Sequence, residues 1–204
     1  MKAVLIIISI LILVFVIVQL YAMQSQNNIE TYQYKVNQKF EDFEIRTYDS
    51  SLFTSVKLSG NQYKDMSRKG FRTLASYIFG DNKMNESIAM TSPVSMSLED
   101  SMTMMFLVPK KYSKEDLPQP NNTKIEFRQE PNRKVAAIKF GGWANDRKIK
   151  KYREKLMEAL DKEGIQYSNH FYFFGYNAPF EVFNRKNEII VDLNNENEAK
   201  ESLQ

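Results

Sequence analysis

One short pattern occurs twice in this chain, 82 positions apart. Phe43-Glu44-Ile45-Arg46 returns as Ile125-Glu126-Phe127-Arg128, and Val56-Lys57-Leu58-Ser59-Gly60 returns as Ile138-Lys139-Phe140-Gly141-Gly142. Around each copy the residues predict two strands, a glycine, a helix and two further strands. Self-similarity at a fixed spacing implies a duplicated unit. Each unit exposes an apolar face, so the two are expected to pack into one domain with a shared core and a seam where a ligand could sit.

Local pattern supports that order. Phe43, Ile45 and Thr47, then Leu52, Thr54, Val56 and Leu58, alternate with polar residues as half-buried strands do, with a turn at Asp49-Ser50-Ser51. Gly60-Asn61 predicts a helix start with Asn61 as N-cap, and Gly80-Asp81-Asn82 predicts its stop. Ile88, Met90, Ser92, Val94, Met96 and Leu98 fall on one face of a long strand, where Pro93 implies an edge or a bulge. Met102, Met104, Phe106 and Val108 return beside it, and the proline-bearing stretch 109–122 is a surface loop. A second helix is expected from about Asn145 to Glu163, ending at Gly164. Residues 171–176 and 188–193 complete the strands. The expected fold class is α+β: a distorted antiparallel β-barrel of about eight strands with two helices, built from two ββαββ halves.

The first 23 residues are a different material. Residues 4–18 are apolar except for Ser9, preceded by Lys2 and followed by Gln19. About twenty apolar residues cross a bilayer, and this run reaches that length only with residues 20–23. It is expected to be a membrane anchor, with a cleaved signal segment as the alternative; Leu20-Tyr21-Ala22 is a poor small-residue cleavage site. Lys2 before the run, with no Lys or Arg after it until Lys35, puts the domain outside the cytoplasm. If the segment is removed, the protein would be secreted or periplasmic. Residues 24–33 read as a polar tether, 34–193 as the folded domain and 194–204 as a polar tail.

Charge and residue usage narrow the function. With 28 basic and 25 acidic residues there is no electrostatic footprint for nucleic acid. The chain has no cysteine, which removes thiolate metal sites and a lipoprotein anchor. His170 is the only histidine, and no partner is fixed for it by spacing, so no nucleophile–base pair is visible and an enzyme is not expected. Glu44, Glu126 and Glu181 show no pairing for acid–base work, and Gly141-Gly142 lacks the fuller pattern of a phosphate loop. Five methionines cluster at Met90, Met96, Met102, Met104 and Met105, suited to an irregular core or to lining a flat hydrophobic ligand. Lys64, Arg68 and Arg72 repeat every fourth residue along the first predicted helix, beside Phe71, Ala75 and Ile78. An apolar ledge bordered by guanidinium groups suits an amphiphile with carboxylates, and a solvated charged face gives the same spacing.

Seven stretches in order resemble the motifs of the SOUL/haem-binding protein family over residues 34–193. They are Tyr34-Lys35-Val36, Phe43-Glu44-Ile45-Arg46-Thr47-Tyr48, Tyr77-Ile78-Phe79-Gly80-Asp81-Asn82, Ile88-Ala89-Met90-Thr91-Ser92-Pro93-Val94, Phe140-Gly141-Gly142, Gly175-Tyr176-Asn177-Ala178-Pro179-Phe180 and Arg185-Lys186-Asn187-Glu188-Ile189. The resemblance implies a distorted barrel of two similar halves. It also implies non-covalent binding of haem or another tetrapyrrole in a shallow cleft between the first helix of the barrel and the loop before the final strand. In such a cleft Arg68 would meet the propionates, Phe71, Leu74 and Ala75 would supply apolar contacts, and Pro179, Phe180 and Phe183 would come from the loop. Some relatives carry further basic residues where this chain has Ser76 and Glu181, and the histidine ligand proposed for some of them does not map to His170. The same barrel resembles ligand-binding domains of multidrug-sensing regulators. A different amphipathic ligand, or use of the fold as a protein-interaction module, is therefore the alternative to a membrane-tethered or exported haem carrier.

Overall fold

A computed structural model describes residues 2–26, 29–60, 62–99 and 101–194. Three helices, α1 (Lys2–Gln26), α2 (Tyr63–Ile78) and α3 (Asp146–Lys162), accompany nine strands. The strands are β1 (Tyr34–Lys39), β2 (Glu44–Tyr48), β3 (Ser51–Lys57), β4 (Val94–Ser97), β5 (Thr103–Leu107), β6 (Ile125–Glu130), β7 (Arg133–Gly141), β8 (Tyr167–Gly175) and β9 (Lys186–Leu193). They form one antiparallel sheet in the order β1-β2-β7-β9-β8-β4-β5-β3-β6.

The sheet curls into a half-barrel. Tyr48 on β2, Phe53 on β3 and Phe174 on β8 belong to strands that are not neighbours, yet all three surround the ring of Tyr32 at centroid distances of 4.4, 5.2 and 6.4 Å. With Met105, Leu107, Val135, Ala137, Tyr172 and Ile190 they fill the concave interior. The alternate residues of the same strands, among them Val56, Met104, Phe106, Ala136, Ile138, Phe171, Phe173, Ile189 and Val191, point outward and pack under α2 and α3. Leu74, Leu156 and Leu160 of those helices are fully buried against them. Each such side chain withdrawn from water contributes about 1.5–3 kcal/mol before entropy is counted. Strand alternation thus builds two apolar layers on the two faces of one sheet.

Several expectations are corrected. There are nine strands, because β1 was not foreseen: YKVNQK is mostly exposed, sits at a sheet edge and is held by backbone pairing with β2 rather than by burial. The long strand expected over 88–98 is only β4, since Pro93 has no N–H to give a ladder. β4 is not an edge but lies between β8 and β5, with Pro93 just outside its start. The barrel interior is filled with side chains.

Helix ends follow local chemistry. The Asn145 side chain accepts from Lys148 N at 2.9 Å and caps α3, which stops at Gly164 with φ of 66°. Asn61, the expected cap of α2, lies outside the described residues, and the N-cap position is held by Gln62, which gives no side-chain bond. The Asp146 carboxylate does that work from the other half of the chain, accepting from Tyr63 N at 2.6 Å and Lys64 N at 3.3 Å.

Residues Lys2–Gln19 are apolar and long enough to cross a membrane, and they are exposed along almost their whole length. They fit an anchor or a signal segment. The helix continues to Gln26, and part of the expected tether is docked: Tyr32 N donates to Ser92 O at 2.9 Å, and Ser92 N donates to Glu30 O at 2.9 Å. The expected tail after residue 194 lies outside the described residues.

Candidate functional site

α2 lies across the outer face of the sheet at very close range. At Gly70 an added Cβ would stand 2.8 Å from Leu58 Cδ1 and 3.1 Å from Met104 Cβ, so a larger residue would have to push these side chains aside for the helix to settle this deeply. Gly70, Leu74, Tyr77 and Ile78 turn inward. One residue on from Gly70 and Leu74, Phe71 and Ala75 border an open cleft of about 720 Å³, within the range of small-molecule sites. Its floor is Val94, Met96, Met104 and Phe173 from the outward face of β4, β5 and β8.

The two rims are unlike. Along α2 run Lys64, Arg68 and Arg72, all lining the cleft. Facing them is the loop between β8 and β9, represented by Asn177, Ala178, Pro179 and Arg185. Polar groups directed inward hold this loop in shape. Glu181, 5% exposed, accepts from Asn177 Nδ2 at 2.7 Å and from Ala178 N at 2.9 Å. Asn177 Oδ1 accepts from Lys186 N at 2.7 Å. Arg185 donates to Ala178 O at 2.9 Å and to Glu181 O, and its guanidinium lies 3.9 Å from the centroid of the Trp143 ring. Burial pulls the Arg185 pKa down from its ordinary value, partly offset by the Glu181 charge.

Trp143 closes one end. It follows Gly142, whose φ of 73° is left-handed, and the turn is fixed by Asn187 Nδ2 donating to Gly142 O at 2.8 Å and Lys148 Nζ donating to Gly141 O at 2.6 Å. The glycine pair is therefore a strand-to-helix turn that presents an indole.

Of the residues expected from the sequence, Arg68, Phe71, Ala75 and Pro179 come together around the cleft. Leu74 does not line it; the side chain is fully buried between α2 and the sheet. Phe180 and Phe183 do not line it either and stand 61% and 54% exposed on the outer side of the loop. Of the five methionines, Met96 and Met104 form the floor, while Met102 and Met105 are buried elsewhere. Arg185 and Trp143 were missed as site residues. The available signal was the Arg-Lys-Asn-Glu-Ile motif and the lone tryptophan after two glycines.

The lining combines an apolar floor with four cationic side chains and no carboxylate among the described residues. Such a surface takes a broad apolar body with acidic groups at its margins. Among the described residues no group of three His, Cys, Asp or Glu side chains is placed to hold a metal ion. His170 is away from the cleft and exposed, with Nδ1 2.7 Å from Glu99 Oε1, a partner that spacing did not disclose.

The fold is a curled antiparallel half-barrel carrying two helices, with an open cleft on its outer face. The C-terminal domain of EcmrR shares it, with a TM-score of 0.60 at 10% identity over 79% of this chain and 98% of that one. A hydrolase from Listeria innocua shares it with a TM-score of 0.55 at 8% identity over 78% and 94%. At these identities the likeness is one of fold. The model of the SOUL heme-binding protein family matches residues 29–192, and the chain belongs to that family. Heme-binding protein 1 of Xenopus laevis is 26% identical over 161 residues, 75% of this chain and 84% of the relative. Heme-binding protein 2 of Homo sapiens is 26% identical over 163 residues, covering 76% and 79%.

Proposed function

We propose that this protein binds haem or a related tetrapyrrole non-covalently in the α2 cleft and serves as a carrier or buffer at a membrane surface. One observation carries the reading: cations stand on both sides of an apolar floor, Lys64, Arg68 and Arg72 on α2 and Arg185 on the loop. A tetrapyrrole has a flat apolar body and carboxylate arms, and it would lie with its ring on Phe71, Met96 and Phe173 and its arms toward the guanidinium groups. Family membership supports the same ligand class. The chain acts in this reading as a binder without chemistry of its own, with α1 retained as an anchor and the domain outside the cytoplasm. The two ββαββ runs are read as copies of one unit.

The test is a titration of residues 24–204 with haemin, followed by absorbance and repeated with protoporphyrin IX lacking iron. Saturable one-to-one binding is expected for both, since the affinity resides in the cleft rather than in an iron ligand. Arg68→Ala is expected to weaken both by roughly tenfold, about 1.5 kcal/mol for a charged hydrogen bond at a partly open rim, with folding stability little changed. No saturable binding of either ring would sink the reading. A second reading, an acidic amphiphile of another kind, is favoured by the lining itself, which has no carboxylate or imidazole to select a metal-bearing ring.

A further inference from the structure

The cleft loop carries a second surface, directed away from the cleft. Phe180, Val182 and Phe183 are among the exposed large apolar side chains of the protein, and all three belong to residues 177–184. Glu181, the one charged residue of 177–184, is turned inward onto Asn177 and Ala178, so the tip presents apolar groups without a charge.

α1 docks on this tip. Gln19 Nε2 donates to Phe180 O at 3.0 Å, and Val182 N donates to Gln19 Oε1 at 3.0 Å. The Phe15 and Phe183 rings meet edge to face at 6.4 Å. Gln19 is 6% exposed, whereas residues 4–18 are exposed to solvent. Ser9 satisfies its own hydroxyl on Leu5 O at 2.9 Å, so residues 3–18 offer a bilayer no free polar side chain. At 1.5 Å per residue that stretch is about 24 Å long, against a hydrocarbon layer of about 30 Å. To span it, the helix must place Gln19 within or at the edge of the apolar layer. There the loop pairs one N–H and the carbonyl oxygen of the amide, and Phe180, Val182 and Phe183 extend the apolar surface beside it.

We propose that residues 180–183 form a membrane-contact element, inserted at the acyl–headgroup boundary of the bilayer that α1 crosses, so that the cleft opens at the lipid surface. The cleft wall at Ala178 and Pro179 directly precedes this tip in the chain. The bilayer is then the medium from which an amphiphilic ligand enters. This rests on the reading of α1 as a retained anchor.

The experiment uses the full chain reconstituted into phosphatidylcholine vesicles. In a Trp143→Phe background, one tryptophan is placed by Phe183→Trp, or as control by Glu163→Trp, at the far end of α3 and about 25 Å along that helix from its cleft end. The lipids carry bromine near the headgroup end or near the methyl end of the acyl chain. Expected are a blue-shifted emission for Phe183→Trp that loses most of its intensity to the shallow bromines, and no quenching for Glu163→Trp. A water-like, unquenched signal from Phe183→Trp in vesicles that keep the protein through an alkaline carbonate wash would overturn the proposal while leaving the anchor in place. Release by carbonate would overturn both. No tetrapyrrole is present in the experiment, so its result is independent of the ligand reading.

Discussion

Arg46 is the bulkiest side chain fully withdrawn from solvent, and it is not in the cleft. Its guanidinium makes a two-pronged pair with Glu188, Nη1 to Oε2 at 3.0 Å and Nη2 to Oε1 at 3.1 Å, and also meets Glu44 Oε2 at 2.8 Å. Tyr176 donates to Glu188 at 2.6 Å. Burial alone would push the Glu188 carboxyl up; hydrogen bonds and charge from Arg46, with Lys186 and Tyr176 behind, outweigh it and hold the carboxyl below its ordinary value of 4.5. A depressed carboxyl contributes stability that is fully present above the ordinary value and is lost as pH falls through the depressed one. Glu188→Gln removes the fully buried charge partner of Arg46 and leaves it only the part-exposed Glu44, and is expected to cost about 3 kcal/mol in urea unfolding at neutral pH. As pH falls below about 4, wild type should lose stability faster than the variant, and parallel curves would contradict this assignment. Arg185 gives a different prediction. Its bonds to Ala178 and Glu181 carbonyls and its place over Trp143 use the planar fork, so Arg185→Lys should not restore tetrapyrrole affinity lost in Arg185→Ala. Rescue by lysine in the same absorbance titration would show that charge alone suffices.

The two outer helices are joined at their N-termini, where the Asp146 carboxylate accepts from the first N–H groups of α2. Asp146→Ala should lower stability by about 1 kcal/mol in urea unfolding, the worth of a helix cap, and should loosen the cleft edge at Tyr63 and Lys64. This contact spans more than eighty positions of sequence and left no local trace, unlike Asn145, whose cap was evident before a clear helical pattern. The difference is general here. α3, β8 and β9 were legible because period and capping are local. β1 was not, since an exposed edge strand held by backbone bonds has no side-chain signature. β4 was read as part of a long strand with an edge or a bulge at Pro93, because alternation continues through Ile88 to Ser92, while Pro93 cannot join a ladder. In the site, the cationic row on α2 was visible as helical spacing. Arg185 and Trp143 were not, because loop closure and a glycine turn bring them together from separate strands.

At the scale of the molecule, the half-barrel is completed by a residue from outside its strands. Tyr32 is 3% exposed and packs on Tyr48, Phe53 and Phe174, so the folded unit starts before β1. A chain beginning at residue 29 should fold, and one beginning at Lys35 should lose about 3–5 kcal/mol, comparable to truncating a buried aromatic. Equal urea midpoints for the two would remove Tyr32 from the core. The order of the elements after β1 could be anticipated from alternation, but the interior could not. Which of two apolar faces is sealed and which stays open depends on curl, and curl is a property of the whole sheet. Because the sealed face holds the shape and the open face holds the cleft, the two are separate under mutation. Changes at Tyr48, Phe53 or Phe174 would show in how much protein survives in the cell, and changes at Phe71 or Arg68 in what the cleft binds. A lineage built on this plan can trade one ligand for another without rebuilding the fold that holds it.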